Sequence, residues 1–119
     1  MRSVNLLTET ELPSGFGYPR QFMRVIQLGL TDLEPWYVLE GTSLRDAMAG
    51  LAERYPNRKL IPFARRQDND DIACWEAGVT EAVFVIHDFA TPGWEQRSQF
   101  VDFYGWLRRA VDDLIEFDG

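Results

Sequence analysis

Phe100, Phe103, Tyr104, Leu107, Ala110, Val111 and Leu114 keep helical spacing for about four turns, a pattern that only a helix with one buried face satisfies. The stripe predicts a long closing helix that needs a core to lie on. Ser98 stands where its N-cap would fall. Trp106 falls about 100 degrees from the centre of the stripe and is expected at the rim.

The rest of the chain supplies that core in short pieces. Pro19 suits the first turn of a helix carrying Phe22, Met23, Val25, Ile26 and Leu30. Trp36-Tyr37-Val38-Leu39 reads as a strand ending at Gly41, and Leu44, Met48, Leu51 and Tyr55 mark a second helix, capped at Ser43 and stopped by Pro56. Asn57 to Asp70 is expected to be mostly loop, with Leu60, Ile61 and Phe63 tucked inward around Pro62. Asp71–Glu76 and Ala82–His87 read as a hairpin. The second of these runs is apolar on both faces, so it is expected at the centre of the sheet. The fold class is therefore α+β: a small, mixed, mostly antiparallel sheet packed against N-terminal helices and a long C-terminal helix. One domain is expected from Leu12 to the C-terminus, with the first eleven residues loose.

Composition narrows the setting. The chain has 119 residues, is 45% hydrophobic and holds one cysteine, which suits one core and rules out an intramolecular disulfide. Met1 to Leu12 lacks the apolar run of a signal peptide, and no stretch approaches the roughly 20 apolar residues of a membrane span, so a cytoplasmic location is expected. The net charge of -7 is unevenly spread. Residues 42–66 are basic, with six Lys/Arg against Asp46 and Glu53, while residues 67–119 hold the acidic surplus. An acidic domain is a poor nucleic-acid binder, and a basic protein is its better electrostatic match.

Residues capable of chemistry are few. His87 is the only histidine, which excludes a two-histidine metal site, and its neighbour Asp88 points to the opposite face of a strand. Cys74 lies in an apolar strand, where a free cysteine behaves as a small buried hydrophobe. Asp68-Asn69-Asp70-Asp71 lacks the glycine and distal glutamate of a calcium loop, and Arg65-Arg66 beside it can neutralise it locally. Neither catalysis, nor a metal, nor a cofactor is indicated. Thr91-Pro92-Gly93-Trp94-Glu95 sets a large aromatic in a turn, the kind of residue that anchors interfaces. The expected contact surface for a basic protein thus comprises Asp68, Asp70, Asp71, Trp94, Glu95 and Trp106.

Several of these segments together resemble the SUKH superfamily of Smi/Knr-like domains. They are Leu60-Ile61-Pro62-Phe63-Ala64, the aspartate turn, Asp71–Trp75, the strand Val83–His87 and Phe100–Leu107. Pro19 with Phe22 resembles the opening helix of that family, and Trp36 its first-strand tryptophan. The turn here carries no glycine where the family has one. The resemblance spans about Leu12 to Phe117 and implies an α+β domain without enzymatic activity. Bacterial members resemble immunity proteins that neutralise toxins, often nucleases, whereas fungal relatives are regulatory hubs. An immunity protein for a nuclease-type toxin is the leading expectation, a regulatory interaction domain the second, and a small enzyme using Cys74, His87 or the aspartate turn the third.

Overall fold

A computed structural model describes residues 3–118. The first helix, α1 (Arg20–Gln27), starts after Pro19, whose φ of -61 already suits a helix, and ends before Gly29, which takes a positive φ of 76. It buries Phe22 and Val25. A short hairpin of β1 (Asp32–Leu33) and β2 (Trp36–Val38) leads to α2 (Gly41–Arg54), which buries Leu44, Ala47 and Leu51. This helix begins two residues before Ser43, and no side chain caps it. Then come β3 (Leu60–Arg66), β4 (Asp71–Glu76), β5 (Val83–His87), β6 (Gln96–Phe100) and α3 (Phe103–Asp118).

The six strands lie in the order β1-β2-β3-β4-β5-β6, and every neighbouring pair is antiparallel. The α+β class holds, but the expected mixed sheet is an unmixed meander. Four of its five connections are short turns or loops that can only join antiparallel neighbours. The segment expected as loop is instead the inner strand β3. Its proline is tolerated for two reasons. The ladder skips Phe63, so Pro62 sits at a bulge, and β2 ends at Val38 opposite Ala64, leaving no β2 partner beside Pro62. The strand β5 is apolar on both faces as expected but lies fifth of six, between β4 and the polar edge strand β6. Ser98 belongs to β6, not to a helix cap. Asp102 caps α3 instead, accepting the Gly105 N–H at 2.9 Å.

Helices cover both faces of the sheet. Trp36 and Arg66 face α3, where Trp36 meets Trp106 and Arg66 meets Asp113. Their strand neighbours Tyr37 and Arg65 point the other way and line a groove beside α2. On the α1 and α3 side the core is a cluster of aromatic rings: Phe63 lies 4.3 Å from Trp75 and 4.8 Å from Trp106, and Phe22 lies 5.1 Å from Trp75. The buried stripe of α3 is Phe103, Trp106, Ala110 and Asp113, rotated from the expected one, while Val111 is exposed. Asp113 explains the rotation. It accepts a hydrogen bond from the Trp36 indole at 2.9 Å and meets Arg66 and Arg109, so a carboxylate occupies a core position that hydrophobic spacing alone does not reveal.

The N-terminal segment expected to be loose is tied down. Leu7 is buried, and its N–H donates to the Tyr18 hydroxyl at 3.1 Å. Arg45 reaches back from α2 to Glu11, Asn5 and the Leu6 carbonyl. Met1 and Arg2 lie outside the described residues.

Candidate functional site

The meander brings the β3–β4 turn and the β5–β6 loop to the same end of the sheet. Asp71 pairs with His87, and the Asp88 N–H donates to the Asp70 carbonyl at 3.0 Å. The loop from Asp88 to Glu95 is held at both shoulders. Asp88, 1% exposed, accepts Arg54 Nε at 2.7 Å and Nη2 at 2.6 Å, and also takes the Phe89 N–H at 2.9 Å. Glu95, also buried, accepts Arg58 Nη1 at 3.0 Å and the Gly93 N–H at 2.6 Å. Burial alone would raise the Glu95 carboxyl, but the backbone N–H donors and Arg58 outweigh it and hold it below its ordinary range. Between these shoulders the Tyr55 hydroxyl donates to the Ala90 carbonyl at 2.9 Å.

This bracing holds the loop in a conformation that the chain alone disfavours. Phe89 has a φ of 68, which is uncommon for a bulky residue and persists only where its surroundings over-determine it. The outcome is a fixed display of two large aromatics, with Phe89 63% and Trp94 81% exposed. The Arg54 guanidinium lies 4.1 Å from the Phe89 ring centre, so the residue that locks Asp88 also supports one face of Phe89. Next to Phe89 opens a groove of about 380 Å³ between α2 and the β2–β3 face, walled by Tyr37, Asp46, Arg54 and Arg65.

The six residues expected to form the contact surface fare differently. Trp94 stands in the open, as expected. Trp106 does not: it is 2% exposed and packs edge-on against Trp36, so it has no surface to offer. Glu95 is likewise buried, and its role is to brace the loop. Asp71 is taken by His87 at 3.1 Å and Arg97 at 3.0 Å. Asp68 is gripped by Arg66 through two hydrogen bonds of 2.8 and 3.0 Å, which lower its pKa. Asp70 keeps the most freedom, 54% exposed and 3.8 Å from Arg65. The turn is built by loop chemistry, with Asn69 accepting the Asp71 N–H at 2.8 Å. Its charges are largely neutralised by Arg65, Arg66 and Arg97, so it presents little free negative charge. Phe89, Asp88, Arg54 and Arg58 escape a sequence reading; the available signal is a second aromatic in the run Asp88 to Trp94.

The structure does not bring Cys74 and His87 together. Cys74 pairs with Phe84 in the register, while His87 pairs with Asp71, so the thiol and the imidazole are not opposite one another. Cys74 is fully buried, and burial pushes its thiol well up, away from the reactive thiolate. The chain matches no protein-family model, no curated protein and no solved structure.

Proposed function

We propose that this chain is a protein-binding domain without catalytic activity, which grips its partner through the braced β5–β6 loop. One observation carries the reading: Phe89 and Trp94 are both exposed, five positions apart, on one loop whose flanking carboxylates are both buried and bound by arginines. Large aromatics held rigidly lose little conformational entropy on binding, which is why such residues dominate interface energetics. The net charge of -7 favours a basic partner, because unlike charges speed encounter. Together with the resemblance to SUKH domains, this supports an immunity-type role toward a basic, nuclease-type toxin domain in the cytoplasm.

Affinity purification from the native host tests the reading, using the wild-type chain, the Phe89→Ser/Trp94→Ser variant and an unrelated acidic domain of similar charge. A basic protein should be retained by the wild type and depleted at least tenfold on the variant, with the thermal midpoint of the variant little changed. Equal retention by all three baits would refute it.

A further inference from the structure

The last two turns of α3 break two rules that surface helices ordinarily keep. Solvent-facing positions are usually polar, yet Val111 is 39% and Ile115 64% exposed. With the half-buried Leu107 and Leu114 they form an apolar stripe at i, i+4, i+7 and i+8, beside the buried stripe rather than within it. The stripe begins at an open apolar crevice lined by Leu30, Leu33 and Leu107. The second rule concerns charge. The carbonyl end of a helix is its negative pole and favours cations, but the last turn of α3 has no basic residue and carries Glu116 and Asp118, with Asp112 a turn earlier. None of these three carboxylates has an ion pair among the described residues. Of the nearby arginines, Arg109 is committed to Asp113, and Arg108, one turn before Asp112, is exposed and has no ion pair among the described residues.

We propose that this face of α3 docks a basic amphipathic segment of a partner protein. Apolar side chains of that segment would cover Leu107, Val111 and Ile115, and its Lys or Arg residues would meet Asp112, Glu116, Asp118 and the carbonyl end of the helix. Charge selects this occupant: the exposed carboxylates and the negative pole of the helix favour Lys and Arg side chains over a neutral or acidic segment. Local departures from helix design that weaken a fold are expected where function requires them. The inference rests on α3 alone and not on the aromatic loop.

The test uses a 15-residue amphipathic Leu/Lys peptide, a Leu/Glu peptide of the same pattern and a scrambled Leu/Lys peptide, each titrated into isotope-labelled protein. The Leu/Lys peptide should bind saturably and shift the amides of residues 107–118. Val111→Ser/Ile115→Ser should weaken binding at least tenfold, and Asp112→Asn/Glu116→Gln/Asp118→Asn at least fivefold with reduced salt dependence. Phe89→Ser/Trp94→Ser should leave it unchanged, which separates this proposal from the loop reading. Glu116→Lys/Asp118→Lys should abolish peptide binding and raise the thermal midpoint. Shifts confined to residues 88–95, equal binding of the scrambled or Leu/Glu peptide, or wild-type affinity in the Val111/Ile115 variant would overturn the proposal. A lower midpoint for the Lys variant would also overturn it, since the carboxylates would then serve the fold.

Discussion

Asp88 is 1% exposed and accepts both hydrogen bonds of a forked guanidinium, so removing Arg54 leaves a buried carboxylate without its counter-charge. Breaking such a pair from one side is strongly destabilising. Because the Arg54 side chain is 29% exposed, water softens the loss, and Arg54→Ala should cost about 2 to 4 kcal/mol in urea unfolding. Gly50 is part of the same arrangement: a Cβ there would lie 2.6 Å from Arg54 Nη2. Gly50→Ala should displace the guanidinium and speed hydrogen exchange across residues 88–95, with little change elsewhere. Unchanged exchange would mean that the loop holds itself. Cys74 should resist a thiol reagent in the native state and react fully once unfolded, because burial raises its pKa and closes access. Glu11 provides a pH signature. Hydrogen bonds from Arg45 and from the Thr8 N–H hold its carboxyl down to about 2, against an ordinary 4.5. The folded pKa is the lower one, so the stabilisation is present above about pH 4.5 and is lost as pH falls toward 2. Glu11→Gln should therefore flatten the acid limb of stability against pH, and parallel curves for the two proteins would contradict the pairing.

Elements were legible where local chemistry and burial agreed. The helices α1 and α2 and the β4–β5 hairpin follow from periodicity, Pro19, Pro56 and Gly78, because those signals act within a few residues. The strand β3 was hidden by Pro62, which is acceptable only through a bulge and a missing neighbour, both properties of the assembled sheet. The edge strand β6 reads Gln-Arg-Ser-Gln-Phe and shows no apolar alternation because neither of its faces is covered. For α3 the helix itself was plain, but its orientation depended on Asp113 bonding Trp36 across 77 positions of sequence. That contact has a measurable consequence. Trp106→Ala should cost about 3 to 5 kcal/mol, as large aromatic truncations do, and Val111→Ala, at an exposed position, well under 1 kcal/mol. Similar losses in both would restore the stripe read from spacing alone. Within the candidate site, Trp94 was visible as a large aromatic in a turn, whereas the brace that fixes it was not, since Arg54 and Arg58 reach it from 34 and 37 residues away.

Over the whole molecule, most of the charge in the middle of the chain is paired. The basic stretch ending at Arg66 folds against the acidic second half, so that Arg54, Arg58, Arg65 and Arg66 each meet carboxylates from β4, the turns, the β5–β6 loop or α3. The aromatic loop therefore projects from surroundings whose charges are mostly paired, and the unpaired carboxylates of α3 lie on the other face of the sheet. A partner drawn in by the net charge would then be held chiefly by the aromatics, which sets association and dissociation under different controls. Dissociation of the host partner from immobilised wild-type chain and from Phe89→Ala/Trp94→Ala, at low and at physiological salt, tests this most directly. The account predicts that the variant releases the partner at least tenfold faster at both salt concentrations, while its association rate and thermal midpoint stay close to those of the wild type. Release at the wild-type rate from a folded variant would contradict it.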